Sequence, residues 1–178
     1  DSSFLDLYCP IVTNIRRHYR HGQTYFLTHV TDGRNPILIN HIVLFQKSVK
    51  AVFYTARVEV IAWVVLPDHF HLIIDPRQND LSNLMKRLKL KFSGLYRAQI
   101  GQVQGQVWQH RFWDHIIRDQ DDLNNHIDYV HFNPVKHGFT DDPFTYEHSS
   151  LARYFQDGLY EREWGCHQML EFEGEYGE

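Results

Sequence analysis

Two histidines separated by one residue are the first groups in this sequence that could do chemistry. His69 and His71 lie in the stretch PDHFHLIID, within an apolar run that predicts a strand. Alternate residues of a strand point to the same face, so the two imidazoles would lie side by side while Phe70 points into the core. Imidazole pairs bind metal ions, but two ordinary histidines bonded to water or backbone would give the same pattern. A metal site therefore needs a third ligand.

The stretch NNHIDYVHFNPVKHG, residues 124–138, offers that ligand together with a nucleophile. Its apolar residues recur at spacings of three and four, which predicts a late helix with one buried stripe. Tyr129 and Asn133 are four residues apart and would lie one above the other on a different face. Asn133 precedes Pro134, which predicts a helix end or a kink at that point. Two imidazoles and an amide oxygen suit Mg²⁺ or Mn²⁺ better than a closed zinc site.

Tyr129 is the candidate nucleophile. Its phenol has an ordinary pKa near 10, so it needs a neighbouring cation to act near neutral pH. A metal ion that polarises a phosphodiester would assist the attack and give a phosphotyrosine intermediate that keeps the energy of the broken bond. A buried structural tyrosine is the alternative role for Tyr129, and Tyr96 and Tyr146 are alternative nucleophiles.

The elements that must position these groups predict an α+β fold. Proline, glycine and aspartate turns separate the periodic segments, and Pro67-Asp68 joins two of the strands as an antiparallel hairpin. Asp80 or Ser82 is predicted to cap the second helix, and Asp121 or Asp122 the third. The expected architecture is a ferredoxin-like antiparallel sheet flanked by helices. The predicted strands are 24–31, 57–66, 69–75 and 107–118, and the predicted helices are 39–55, 81–99 and 122–133.

Charge is distributed unevenly along the chain. The net charge is −4, but residues 140–178 hold ten acidic and two basic residues, whereas residues 1–139 hold 16 basic and 12 acidic ones. Two patches without acids, NIRRHYRHGQ and NLMKRLKLKFSGLYR, interleave cations with rings, which suits single-stranded nucleic acid, although a solvated surface is the alternative. The predicted DNA-binding residues are Arg16, Arg17, Tyr19 and Arg20 in the first patch and Lys86, Arg87, Lys89 and Lys91 in the second.

The length of 178 residues predicts one domain over residues 1–150, followed by an acidic segment, 151–178, that packs on it or is flexible. No apolar run approaches the roughly 20 residues of a membrane span, and no secretory signal is recognised at the N-terminus. The sequence therefore predicts a cytoplasmic protein with no membrane partner.

Three blocks, AWVVLPDHFHLI, WQHRFWDHIIR and HIDYVHFNPVKHG, resemble in order and spacing the REP-associated tyrosine transposases, which are single-tyrosine, IS200-like members of the HUH superfamily. The resemblance covers about residues 14 to 150. It implies that His69, His71 and Asn133 bind Mg²⁺ or Mn²⁺ and that Tyr129 is catalytic. It also implies the HUH endonuclease fold.

For function, the resemblance implies cleavage and rejoining of single-stranded DNA at a hairpin through a 5′-phosphotyrosine, leaving a free 3′-OH. The basic segment around Arg16, Arg17, Tyr19 and Arg20 would help to read a tetranucleotide at the hairpin base. A nucleoid-associated monomer is expected, with a dimer as the alternative.

Two other functions stay open. One is a hairpin-binding protein whose chemistry has decayed, which the joint presence of all four candidate site residues disfavours. The other is a zinc hydrolase, which the lack of an H-E-x-x-H arrangement disfavours. A covalent protein–DNA adduct would distinguish both from the transposase.

Overall fold

The computed structural model describes residues 24–166, 170–172 and 174–178. In this part of the chain, four strands form one antiparallel sheet, and four α-helices pack around it. The strands are β1 (Tyr25–Val30), β2 (Glu59–Val65), β3 (His69–Asp75) and β4 (Trp113–Ile116). The helices are α1 (Ile42–Ala56), α2 (Leu81–Ile100), α3 (Gln120–Lys136) and α4 (Leu151–Gln156), and short 3₁₀ turns span Asp32–Arg34 and Pro143–Thr145.

The sheet order is β2-β3-β1-β4, and every neighbouring pair is antiparallel. A chain that runs β-α-β-β-α-β with this order has the ferredoxin-like arrangement, so the predicted fold class is confirmed. β3 lies between β1 and β2, and the predicted hairpin around Pro67-Asp68 joins β2 to β3.

Alternation along β3 separates two cores. Phe70, Leu72 and Ile74 point to the face covered by α1 and α2, where a cluster of apolar and aromatic side chains is buried. Ile73 belongs to the opposite face, where it packs in the cluster that α3 contributes to. His69 and His71 share that second face because they are spaced by two residues from each other and from Ile73.

The prediction of a core strand over residues 107–118 is wrong. Only Trp113–Ile116 pairs with β1, and Trp108 contributes one isolated bridge to Thr31. β4 is an edge strand, so its apolar residues are largely exposed instead of buried. The backbone of residues 107 and 109 still bonds to Asp32 and Val30, so residues 110–112 interrupt the ladder and leave only a short strand.

The helix boundaries follow their caps. Asp80 caps α2 through its carboxylate, which accepts a hydrogen bond from the Asn83 amide, and Gly101 ends the helix in the left-handed conformation. For α3 the predicted caps are wrong, because Asp119 accepts from the Asp122 amide at 2.8 Å. The helix continues through Pro134, which lies in its last turn and costs only one hydrogen bond there.

Described residues of the acidic segment 151–178 contribute aromatic rings to the core on the α3 side. Tyr154, Tyr160 and Tyr176 are all buried there. The boundary at residue 150 stays a prediction. Within the described ranges, no helix is both long enough and apolar enough to cross a bilayer.

Candidate metal and nucleophile site

His69 is buried and is oriented by its neighbour in sequence. Its Nδ1 lies 2.6 Å from Asp68 Oδ1, so the imidazole donates to the carboxylate and leaves a lone pair on Nε2. That Nε2 is buried and has no hydrogen-bond partner among the described residues. A histidine held by a carboxylate at one nitrogen and open at the other has the geometry of a metal ligand.

His71 is oriented in the same way by β1. Its Nδ1 lies 2.8 Å from Thr28 Oγ1, and that hydroxyl donates to the Tyr176 carbonyl at 2.5 Å. Thr28 therefore accepts from Nδ1, and the His71 lone pair is on Nε2, which faces Glu178 Oε1 at 2.9 Å. Burial lowers the pKa of His71 to about 4 despite the nearby Glu178. A neutral imidazole lone pair facing a carboxylate oxygen favours a cation between them.

Three residues of α3 meet the histidines. Tyr129, Asn133 and Lys136 are spaced by four and three, so they share one face of the helix. The Asn133 amide nitrogen donates to Glu178 Oε1 at 2.7 Å, whereas its Oδ1 is buried and has no partner among the described residues. Asn133 Oδ1 and His69 Nε2 are thus both buried atoms without a hydrogen-bond partner among the described residues.

Tyr129 is 1% exposed, and its ring centroid lies 5.4 Å from that of His71. Its hydroxyl accepts a hydrogen bond from Lys136 Nζ at 2.9 Å. Burial raises the pKa of Tyr129 well above its usual range, and the hydrogen bond and negative charge of Glu178 raise it further. The phenol therefore needs positive charge to ionise, and Lys136 is in contact to supply it.

Glu178 places a carboxylate at the centre of the site. Its oxygens contact His71 at 2.9 Å, His137 at 3.2 Å and the Lys136 ammonium. Burial alone would raise the pKa of Glu178, but the surrounding side chains of His137, His69 and His71 outweigh burial and hold that pKa far below its usual range. Glu178 is therefore ionised where it meets the Lys136 ammonium.

Residues 174–178, hereafter the C-terminal segment, cover Tyr129, the candidate nucleophile. The Tyr176 ring stacks on the Tyr129 ring with centroids 3.6 Å apart and an interplanar angle of 9°. The Tyr176 hydroxyl accepts from the Asn125 amide at 2.8 Å. Gly177, with φ of +72°, packs so closely on Trp113 that an added Cβ would lie 2.2 Å from the Trp113 Cβ. The segment is thus fitted along β4 and α3.

The four candidate residues from the sequence, His69, His71, Tyr129 and Asn133, are brought together by the fold. Sequence reasoning missed several others that the structure adds to the site. Lys136 was detectable, because it lies seven residues, about two helical turns, after Tyr129. Glu178 was not, because no local pattern brings it beside β3. The missed residues are Thr28, Asp68, Lys136, His137, Tyr176 and Glu178.

Both alternative tyrosines lie elsewhere. Tyr96 stacks on Phe92 in the core on the α1 and α2 side. The Tyr146 hydroxyl donates to the Val65 carbonyl at 2.8 Å.

The predicted DNA-binding residues are not all at the site. Lys86, Arg87, Lys89 and Lys91 lie on α2, across the sheet from the histidines. Arg16, Arg17, Tyr19 and Arg20 lie outside the described residues, so their role stays a prediction.

The donor set fits a divalent metal ion. Among the described residues, His69 Nε2 and Asn133 Oδ1 have no hydrogen-bond partner. His71 Nε2 carries a lone pair and faces the Glu178 carboxylate, which is also an acceptor. His69, His71 and Glu178 have ligand atoms close enough together to hold one ion. Nitrogen and oxygen ligands of this kind suit several divalent ions.

A second group of titratable residues lies one turn earlier on α3. The Asp122 carboxylate is within hydrogen-bond distance of His115, Arg118 and His126. The His115 and His126 rings stack with centroids 4.7 Å apart. These contacts tie β4 to the start of α3, so the group has a structural role.

Comparison with known proteins identifies the family. Residues 19–132 match the model of the IS200-like transposases. A protein of Haemophilus influenzae described as a REP-associated tyrosine transposase is 32% identical over 175 residues, covering 92% of this chain and 99% of the relative. A REP-associated tyrosine transposase of Escherichia coli is 32% identical over 160 residues, covering 86% and 91%.

A solved structure agrees with these relatives. A REP-associated tyrosine transposase bound to a REP hairpin matches with a TM-score of 0.72 and 30% identity, covering 92% of this chain and 98% of that one. The four-stranded antiparallel sheet with its flanking helices agrees with this relationship. The chain belongs to the REP-associated tyrosine transposases of the IS200-like family, which are DNA-cleaving and rejoining enzymes.

Proposed function

We propose that this transposase cleaves and rejoins single-stranded DNA beside a REP-type hairpin, with Tyr129 as the nucleophile. One observation carries the proposal. The Tyr129 hydroxyl, His71 Nε2 and the Asn133 amide converge on a single anion, the Glu178 carboxylate, and His69 Nε2 lies 3.7 Å from it. A scissile phosphate placed where this carboxylate lies would meet the nucleophile and the charge-stabilising groups together.

In the proposed reaction, the Tyr129 oxygen attacks phosphorus after losing its proton, and the bond from phosphorus to the 3′ oxygen breaks. The product is a 5′-phosphotyrosine, and the leaving oxygen takes up a proton as a free 3′-OH. Rejoining runs the same steps in reverse with a 3′-OH as the attacking group. Lys136, at 2.9 Å from the phenol oxygen, stabilises the phenolate before attack and again when it leaves.

His69, His71 and Asn133 would hold the divalent ion, which we propose to be Mg²⁺ or Mn²⁺. Such an ion supplies charge neutralisation at the phosphate and makes phosphorus more electrophilic. Asp68 and Thr28 keep both Nε2 lone pairs directed at the ion position through their contacts to Nδ1.

The relative bound to a REP hairpin supports a hairpin as the substrate. The N-terminal patch with Arg16, Arg17, Tyr19 and Arg20 is proposed to read the hairpin base. We also propose that the protein acts as a monomer, with a dimer as the alternative. Its place of action is proposed to be the bacterial nucleoid in the cytoplasm. A hairpin-binding protein with decayed chemistry is the competing function.

The test uses a labelled single-stranded REP hairpin and Mn²⁺. Wild-type protein should form an adduct that survives denaturation, and peptide mapping should place the nucleotide on the peptide that contains Tyr129. Tyr129→Phe should bind the hairpin and form no adduct, because the change removes one oxygen and keeps the buried ring. Tyr96→Phe is the matched control and should form the adduct at the wild-type rate. An adduct in Tyr129→Phe, or none in the wild type, would overturn the proposal.

A further inference from the structure

A groove of about 420 Å³ lies on the side of the sheet away from the histidines. One wall is α2, and the other is the segment 106–112, whose residues 108–112 begin the WQHRFWDHIIR block. Lys86, Lys89 and Arg97 line the first wall, and none of the lining residues is acidic. This volume is in the range of sites that hold small molecules or parts of larger ones.

Helical geometry divides the basic patch of α2 into two stripes. Lys86 and Arg97 are eleven residues apart, three helical turns, and both line the groove. Arg87 and Lys91 are four apart on a neighbouring exposed stripe and do not line it. The groove is therefore positively charged through one stripe, and the other stripe carries the same charge without a groove.

Buried donors without acceptors lie beneath the surface of the groove. Trp108 is 5% exposed, and its indole Nε1 has no hydrogen-bond partner among the described residues. The same holds for Arg97 Nε. Beneath Phe112, which lines the groove, His29 stacks with a centroid distance of 4.5 Å, and neither of its ring nitrogens has a partner among the described residues. Acceptor oxygens of a ligand would instead meet the cationic groups of Lys86, Lys89 and Arg97 that line the groove.

The groove and the catalytic site lie on the two sides of one edge strand. Phe112 lines the groove, whereas the next residue, Trp113, packs against Gly177 on the side of the catalytic site. Trp113 pairs with Thr28, and Thr28 pairs with His71. Two strand spacings therefore separate Trp113 from His71, about 10 Å. A flexible single strand of DNA that crosses β4 therefore needs only a few nucleotides to reach from the groove to the catalytic site.

We propose that this groove binds unpaired nucleotides of the DNA substrate, with phosphates on Lys86 and Arg97 and a base against the aromatic floor. The inference rests on the proposed function for the identity of the substrate. Rings between cations bind single strands, because bases stack while phosphates pair with the cations. A duplex keeps its bases stacked inside and an acidic peptide has no base, so neither would use the ring of Phe112 that lines the groove.

The test compares two double variants with equal loss of charge. Lys86→Gln with Arg97→Gln removes the charge of the groove stripe, and Lys47→Gln with Arg57→Gln, two exposed cations outside the groove and outside the predicted DNA-binding residues, is the control. Fluorescence anisotropy in EDTA would measure Kd for a REP hairpin with a single-stranded extension and for the same hairpin trimmed to a blunt stem. Omitting the metal separates binding from cleavage, and thermal melts of each variant verify folding.

The groove variant should bind the extended hairpin about tenfold more weakly, and its slope of log K against log salt should fall by about 1.4. The control variant should change Kd and the salt slope much less. For the blunt stem, the two variants should have the same Kd. Equal weakening by both variants, or an unchanged Kd in the groove variant, would overturn the inference. An acidic peptide that competes with the extension at the groove would overturn it in favour of a protein partner.

Photo-crosslinking gives a readout that needs no variant. Iodouracil in the extension should crosslink to the peptide containing Trp108 and Phe112, and crosslinks confined to other peptides would contradict the groove. If wild-type protein forms no Tyr129 adduct yet shows this crosslink and the tenfold effect, the proposed chemistry fails while the nucleotide site stands.

Discussion

At the scale of single residues, the two strand histidines share one design. Each gives its Nδ1 hydrogen to an oxygen and keeps its Nε2 lone pair for the site, through Asp68 in one case and Thr28 in the other. Asp68 also pairs with Arg34, and the hydrogen bonds from His69 and Arg34 outweigh burial, which alone would raise its pKa, and hold that pKa below its usual range. Asp68 is therefore ionised and fixed in place when it orients His69.

Asp68→Asn should weaken the metal affinity of the site about 10–100-fold, because outer partners of ligating histidines have effects of this size. The measurement is a titration of adduct formation with Mn²⁺, followed by direct Mn²⁺ binding without DNA. Asp141→Asn, an exposed change of the same charge, is the control. Unchanged Mn²⁺ binding in Asp68→Asn would show that His69 is not a ligand oriented by this carboxylate.

Lys136→Gln should slow adduct formation by about 10–100-fold near neutral pH and leave hairpin affinity within about twofold. Without the ammonium, the pKa of Tyr129, which burial already raises, is raised further. The rising limb of the rate–pH profile should therefore move to higher pH. A lower rate with an unmoved profile would assign Lys136 a packing role.

At the scale of elements, the proposed reaction requires the C-terminal segment to move. Tyr176 covers the face of Tyr129, and the Glu178 carboxylate takes the hydrogen bonds that a phosphate would use. Glu178→Gln should raise the rate of adduct formation about tenfold, because a neutral side chain competes less well with a phosphate for the cationic groups. Glu175→Gln, on an exposed neighbour, should leave the rate unchanged. Loss of activity in Glu178→Gln would instead make Glu178 a required metal ligand.

Local periodicity predicted most of the elements, and long-range contacts explain the errors. The alternation of β3 and the spacing of Tyr129 and Asn133 on α3 depend on near neighbours, so they could be read from the sequence. The segment 107–118 has a strand-like composition, but the length of the strand depends on its pairing with β1. β1 pairs with just four of its residues. Glu178 lies 107 residues from His71, and no sequence pattern connects them.

At the scale of the whole molecule, buried neutral histidines make stability depend on pH. His29 is 1% exposed, and burial lowers its pKa well below the ordinary 6.5. Between 6.5 and that lower value the unfolded chain binds a proton that the folded chain does not. Stability from this residue is therefore complete above pH 6.5 and is lost progressively as the pH falls.

His29→Phe should remove part of this dependence and keep the stacking between Phe70 and Phe112. The free energy of unfolding of the variant minus that of the wild type should be about 2 kcal/mol larger at pH 5 than at pH 7.5. Urea unfolding at the two pH values measures it. An identical pH dependence in both proteins would show that His29 is protonated in the folded state.

The central position of β3 has a consequence for how the enzyme is controlled. Its amides bond to strands on both sides, so they should exchange with deuterated solvent among the slowest in the protein, while those of residues 174–178 exchange early. The ligand histidines then stay assembled through every excursion of the C-terminal segment. If His69 and His71 bind the metal as proposed, movement of residues 174–178 should uncover Tyr129 without changing the positions of the two histidines. Mn²⁺ bound at the histidines should therefore be retained whether Tyr129 is covered or exposed.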